Sequence, residues 1–410
     1  MLDPTAALDA AGQWLGSEPQ RARREMAAAL QQRPDSAVAW FNYGLAQHLC
    51  ANPEAAIRAY RLSLRCPEPP LRQLGNNLSQ DLLFTGRFAE GWQVYEHRPP
   101  QPLPVACHQW YGPSWNGDEV PDQPLLLVSE QGFGDTLMML RFALELVAKG
   151  VPVQLVCQRA LVELIRHGAP ALPVEGFLVR EPHPRTWAPL LSLPRILAVS
   201  DQSMPRQQGY LNLSPARVQS WAQRLGRQPG KRLVALHWSG NPVSEQSLYS
   251  RGRSLALEQL APLAAMADLE FVSVQKGQGS EQWPGPFAAL QVSGQAAVSA
   301  SHSFLDTAAV LANCDLLISA DSAVVHLAGA LGLPAWVLLK AIPEWRWGQY
   351  GDSSYWYDSL RLFRQSTPGS WQEPLQRICS ELARATPPPD AASPRDWGAS
   401  RSAPPLRCSS

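Results

Sequence analysis

From Pro124 onward the chain repeats one pattern: a short unbroken apolar run, a polar loop, then apolar positions every three or four residues. Residues 125–129 read as a buried strand. Residues 136–149 read as a helix with Leu137, Leu140, Leu144 and Val147 on one stripe, and 151–157 as the next strand. A short helix at 159–166 and a strand at 176–179 follow. A second set opens with a strand at 232–238. It continues through a helix at 261–266 that Pro262 can start, a strand at 271–275, a helix at 304–313 and a strand at 316–319. The helix behind Asp321 comes next, then 335–339 as the last strand and 371–385 as a closing helix. Such alternation predicts parallel sheets with right-handed crossovers, which bind ligands beyond the carboxyl ends of their strands. Asp135 and Asp321 fall at that edge, one in each set.

Up to Arg98 the pattern is helical and repetitive. With Trp40 as the fourth position of a unit of about 34 residues, Tyr43, Gly44, Ala56 and Tyr60 take the large, small, small and aromatic positions of tetratricopeptide repeats. Pro67 lies one residue short of the usual proline. One period earlier Ala22, Ala29 and Pro34 match; one period later Leu78, Gly91 and Tyr95 match after a one-residue insertion. Small residues let paired helices approach, and the last unit is expected to lean on the next domain. An ordinary helical bundle is the alternative. The predicted division is therefore 1–98 helical repeats, 99–123 a breaker-rich connection, 124–228 and 229–385 two Rossmann-like α/β halves, and 386–410 a Pro-, Ser- and Ala-rich disordered tail.

Composition narrows the class. The chain has 410 residues, with 35 basic and 35 acidic side chains, which disfavours a general nucleic-acid binder. The cluster Arg21, Arg23, Arg24 reads as a solvated helix face. Seven scattered cysteines without a CxxC pair fit a reducing compartment, and Met1-Leu2-Asp3-Pro4 lacks the features of a signal peptide, so a cytoplasmic protein is expected. The apolar stretch 317–339 holds Asp321 and His326 and is broken by Gly332-Leu333-Pro334, so a buried strand, helix and strand explain it better than a membrane span. Eight dispersed histidines and the lack of an HExxH or DxD string disfavour a metal site.

Helical repeats followed by Glu130-Gln131-Gly132-Phe133-Gly134-Asp135, His237-Trp238-Ser239-Gly240-Asn241-Pro242, Arg253-Ser254, Ser273-Val274-Gln275-Lys276-Gly277 and Asp321-Ser322-Ala323-Val324-Val325-His326 form an ordered set. Together they resemble bacterial tetratricopeptide-repeat proteins carrying a heptosyltransferase-like glycosyltransferase domain. The resemblance covers nearly everything but the tail. It implies a GT-B fold, a nucleotide-diphosphate sugar as co-substrate with no cofactor, and metal-independent, inverting transfer to a protein or glycan acceptor. The repeats would recruit the acceptor or a protein partner.

Asp135 is similar in position to the base of heptosyltransferases, and such help to an acceptor hydroxyl is typically ~10²–10⁴-fold. The glycines Gly132 and Gly134 let backbone approach substrate, as Gly240 does in the second half. The alternative for Asp135 is an N-cap of the helix at 136. The departing diphosphate needs preorganised positive groups. Ser322 and Ala323 at a helix start offer N–H donors, and Lys276 and Arg253 offer charge, with Lys340 in reserve; solvated surface charge is the alternative. Asp321 is expected to cap the helix, His326 to reach the cleft or pack at the domain edge, and Asn241 to shape a loop over the donor. Trp345 and Trp347, flanking Arg346, are read as base- or sugar-stacking residues or as an interdomain plug. A rival reading is a tetratricopeptide-repeat interaction scaffold with an inactive transferase-like domain. A GT-B-shaped epimerase or phosphorylase is a third.

Overall fold

A computed structural model describes residues 13–69, 71–119, 121–176, 180, 183–201, 203 and 209–384. The expected tail 386–410, and residues 177–179 of the strand expected at 176–179, lie outside the described residues.

The N-terminal region is helical: Pro19–Gln32, Ala37–Leu49, Pro53–Ser63, Leu74–Phe84 and Phe88–Tyr95. Pro19 and Pro53 sit in first turns, where a missing N–H costs nothing. Ser36 Oγ accepts the Ala39 N–H at 3.3 Å and starts the second helix. Neighbouring helices pair through small residues. A Cβ on Gly44 would lie 2.5 Å from the Tyr60 ring, and one on Gly91 2.7 Å from Leu83, so both positions need glycine for the helices to touch. The spaced glycine and aromatic read from the sequence therefore meet across a helix pair.

The connection 99–123 is not the breaker-rich linker its prolines suggest. Pro102–Tyr111 is a helix whose prolines fall in its first turn, and Cys107 buries itself against Leu126, Val128 and Trp187.

Two parallel sheets follow. The first contains β1 (Leu125–Val128), β2 (Val153–Val156), β3 (Val174–Glu175) and β4 (Trp187–Pro189) in the order β3-β2-β1-β4, with Leu125 opposite Val153 and Leu126 opposite Trp187. The second contains β5 (Arg232–His237), β6 (Leu269–Ser273), β7 (Leu316–Ala320), β8 (Ala335–Leu339) and β9 (Leu360–Arg364) in the order β6-β5-β7-β8-β9. Strand order reverses between β1 and β4 in one sheet and between β5 and β7 in the other. Those are the points where a crevice opens at the carboxyl edge.

Several expectations need correction. The helix expected at 136 starts at Phe133 and runs to Ala148, because Gly132, not Asp135, is its N-cap. The strand expected at 335–339 is not the last. β9 pairs beyond it; in its sequence Leu-Arg-Leu-Phe-Arg two arginines break the apolar run by which the central strands are recognised. The helix expected at 261–266 is a 3-10 segment over Leu257–Ala265 with Pro262 inside it. β4 and the Pro215–Leu225 helix were not anticipated.

One apolar interior joins all three regions. Leu83, Phe88, Trp92 and Tyr95 of the helical region share a core with Leu125 and Leu140 of the first half and Val325, Trp345 and Trp347 of the second. Arg98 reinforces the junction. Its guanidinium donates to both carboxylate oxygens of Glu130, at 3.1 and 2.7 Å, and to Ser192 Oγ at 3.0 Å, all buried. A fully partnered buried pair contributes little net stability but fixes how the surfaces meet.

Candidate active site

The two sheet edges face each other across a cleft of about 990 Å³, and the helical region forms part of its wall through Asn76, Gln80 and Tyr95. Of the residues singled out from the sequence, Gly132, Gly134, Asp135, Gly240, Asn241, Arg253, Lys276, Asp321, Ser322, Ala323 and His326 line this cleft, whereas the reserve cation Lys340 and Trp347 are not part of its lining. The lining residues lie up to about 190 positions apart in sequence; strand order places each set at its own sheet edge, and the shared core of the two halves brings the sets together.

Asp135 is held at both oxygens. Oδ2 accepts the Gly132 N–H at 2.9 Å, and Oδ1 pairs with Arg346 of the opposite half. A carboxylate has about four acceptor sites, so each oxygen retains one for a substrate hydroxyl. The loop before it is strained: Gln131 has φ 58°, a left-handed conformation costing about 1–3 kcal/mol outside glycine. Gln131 is held there by its own Nε2, which donates to Tyr95 Oη at 3.1 Å, and by Gln158, which donates to its carbonyl at 3.2 Å.

Arg346 is the charge at the centre. It is buried, donates to Glu344 at 2.6 Å and lies over the Trp345 ring. Burial opposes its charge, but Asp135 and Glu344 outweigh that and raise its pKa. Burial likewise pushes Glu344 up, while Arg346, Ser250 and Arg253 bring it below the usual range. The sequence singles out neither Glu344 nor Arg346, the arginine being noted only as flanked by two tryptophans. A charged residue between two large apolar ones was the available signal, since such a residue is buried with them and must be paired.

Arg253 is the cation with the weakest internal claims. Glu245 and Glu344 each lie 3.7 Å away, and its buried Nε has no hydrogen-bond partner. Gly240 makes room for it: a Cβ there would stand 2.9 Å from that Nε. Lys276 is more committed than expected. Its Nζ donates to the carbonyls of Val298 and Ser299 at the end of the Gln295–Ala300 helix, and burial lowers its pKa. Lys340 is committed as well, donating to the carbonyls of Tyr249 and Arg251, with burial pulling it down to about 8.

The expected capping role of Asp321 is not observed. Ser322 is the N-cap of the Ala323–Ala330 helix, and Asp321 is buried behind it. Burial, with Glu344 nearby, pushes its carboxyl up to about 6. His326 does both things considered for it: it lines the cleft and packs at the seam between the halves. Its Nδ1 is 3.0 Å from Tyr357 Oη, its ring stacks on Trp347 at 5.3 Å, and burial drives its pKa well down. His237 is similarly kept neutral, lowered to about 4 by burial. Trp345 packs against the helical region, meeting Trp92 at 5.3 Å and Tyr95 at 5.8 Å, and also lines the cleft, whereas Trp347 is fully buried against His326.

The cleft at paired switch points defines an α/β protein with a crevice at the carboxyl edges of two parallel sheets, and comparison with known proteins narrows it. Residues 287–361 match the family model of glycosyltransferase family 9 (heptosyltransferase). That segment holds the Asp321 loop and Arg346, so the second half carries a domain similar to that family. Protein FlbA of Caulobacter vibrioides is 27% identical over 380 residues, covering 86% of this chain and 62% of FlbA. The chain thus spans less than two thirds of that relative's length. Among solved structures, E. coli ADP-heptose lps heptosyltransferase II is 13% identical with a TM-score of 0.41, covering 63% of this chain and 97% of that one. The glycosyl transferase family 9 structure from Veillonella parvula DSM 2008 is 12% identical with a TM-score of 0.43, covering 66% and 92%. Among the described residues no helix is long and apolar enough to cross a membrane.

Proposed function

We propose that this chain is a glycosyltransferase of GT-B arrangement that moves a hexosyl or heptosyl group from a nucleotide-diphosphate sugar to a hydroxyl of a protein or glycan acceptor. The observation that carries the reading is the division of one cleft: a carboxylate, Asp135, on one wall, and a weakly engaged guanidinium, Arg253, beside a helix N-terminus on the other. The family match over 287–361 supports it.

In this scheme the acceptor hydroxyl donates to Asp135 and its oxygen attacks the anomeric carbon. The new C–O bond forms as the bond to the β-phosphate oxygen breaks and its electron pair leaves with the nucleoside diphosphate. The proton ends on Asp135. Single displacement inverts the anomeric centre. Arg253 and the N–H groups of Ser322 and Ala323 neutralise the departing charge without calling on a metal. Lys276 and Asn241 border the donor, and Arg346 keeps Asp135 aimed into the cleft. The helix pairs of residues 19–95 are read as tetratricopeptide-like repeats that recruit the acceptor or a protein partner, in the cytoplasm.

The test is calorimetry against UDP, GDP, ADP and dTDP, followed by transfer assays with the sugar form of whichever binds. Asp135→Asn should keep nucleotide affinity within a factor of ~2 and lower kcat by ~10²–10⁴. Silence across the nucleotide panel from folded protein would favour the scaffold reading.

A further inference from the structure

The loop after β5, residues 238–256, delivers Arg253 to the cleft and is braced from within. Gly240 N–H donates to Ser254 Oγ at 2.8 Å, and Val243 N–H to Asn241 Oδ1 at 3.0 Å. Its outer end, Tyr249, does not face solvent. Only 9% exposed, it inserts into the helical region. Its hydroxyl is 3.2 Å from that of Tyr60, and its ring lies 4.1 Å from the His48 ring, tilted by 32°. His48 is itself fixed, with Nδ1 2.6 Å from Asp81 Oδ1, both side chains buried. Three successive helices, Ala37–Leu49, Pro53–Ser63 and Leu74–Phe84, thus converge on one tyrosine of another domain.

The same loop is gripped from its other side. Lys340 donates to the carbonyls of Tyr249 and Arg251, and Ser250 Oγ donates to Glu344 at 2.5 Å. The start of the chain touches it too: a Cβ on Gly16 would lie 3.0 Å from Arg251 Nη1.

We propose that the helical region is a working part of the donor site: His48, Asp81 and Tyr60 form a socket for Tyr249, and the seated tyrosine positions Arg253. The inference rests on the assignment of Arg253 to the donor diphosphate. Tyr249, His48 and Tyr60 are positioning residues; none touches the reacting atoms. A buried His–Asp pair is costly to assemble, and here it orients a ring face against the intruding tyrosine. Without the socket the loop samples other positions, and affinity falls by the fraction of time Arg253 is misplaced.

The experiment uses the full chain with Tyr249→Ala, Tyr249→Phe, His48→Ala and Arg253→Ala, each checked for wild-type circular dichroism. Two readouts are taken: amide hydrogen exchange of residues 240–254, and affinity for UDP, GDP, ADP and dTDP. Where a donor is identified, donor KM and kcat are separated. Tyr249→Ala and His48→Ala should speed exchange in the loop and weaken nucleotide binding by ~10-fold or more, with kcat at saturation within ~2-fold. Tyr249→Phe keeps the ring and loses one hydroxyl contact, so it should fall between, at roughly two- to tenfold. Unchanged exchange in both alanine variants overturns the socket. Faster exchange with unchanged affinity, while Arg253→Ala still weakens binding, overturns the link between socket and donor but leaves the donor assignment standing. Unchanged affinity in Arg253→Ala, with a nucleotide that does bind, removes that assignment and the proposal together.

Discussion

Arg346→Ala is the most revealing single change in this molecule, because one guanidinium serves carboxylates from both walls of the cleft. Asp135 belongs to the first half and Glu344 to the second; their side chains are 12% and 15% exposed, and that of Arg346 is 8% exposed. Removing one partner of a buried pair costs about 3–5 kcal/mol, chiefly by leaving charge unpaired. The cleft admits water to Asp135 and Glu344, which argues for the lower end. The contact of the guanidinium with Trp345, 4.5 Å from the ring centroid, adds to the loss. Urea unfolding followed by tryptophan fluorescence measures the effect in a cycle with Asp135→Asn. If Asp135 is destabilising once unpaired, Asp135→Asn should cost less in the Arg346→Ala background than alone, or stabilise it, with a coupling of ~1–3 kcal/mol. The pH dependence has a definite sign. Glu344 is held below its unfolded value by Arg346 and others, so its contribution is present above the usual carboxylate range and lost as pH falls through the depressed value. The gap between wild type and Arg346→Ala should therefore be full at pH 7 and narrow on acidification. Additive effects within about 0.5 kcal/mol, or a gap that widens in acid, would refute the shared-counter-ion argument.

Asp321, pushed up to about 6, has a folded pKa above its unfolded ~3.9; the folded state holds the extra proton, and stability falls as pH rises from about 4 to about 6. Asp321→Asn should accordingly raise the unfolding temperature at pH 7 and lose that advantage near pH 4.5, as thermal scans at both values will show; equal stability at pH 7 counts against the buried charge. Gly134→Ala would place a Cβ 2.7 Å from His326, which Tyr357 and Trp347 pin in place. Overpacking of this kind costs about 1–3 kcal/mol, visible in denaturant unfolding, and an unaltered midpoint would mean that the halves can slide apart.

Periodicity made the two sheets legible. Apolar strand runs at 125, 232, 316 and 335 have no plausible alternative to burial, and each is found with its start within about a residue of expectation. Edge elements were harder: β9 has one neighbour and carries Arg361 and Arg364, which interrupt its apolar run, while β4 is three residues long and ends in Pro189. Neither the cap expected of Asp321 nor the cap considered as an alternative for Asp135 is found, for one reason. Asp135 and Asp321 are each good N-cap residues, but the backbone N-cap is Gly132 in one case and Ser322 in the other, and cap identity depends on where the loop turns.

The sequence by itself determined that alternating strands and helices would bring Gly132 to Asp135 and Asp321 to Ala323 to the carboxyl edges of two parallel sheets. That follows from local propensity and the handedness of crossovers. Which charges would meet was decided only by tertiary structure. Asp135 pairs with Arg346, 211 positions away, and Tyr249 seats against Tyr60, 189 positions away. No periodicity encodes such contacts, because they arise from how whole domains close on one shared core, and the desolvation that fixes each partner exists only after they have closed.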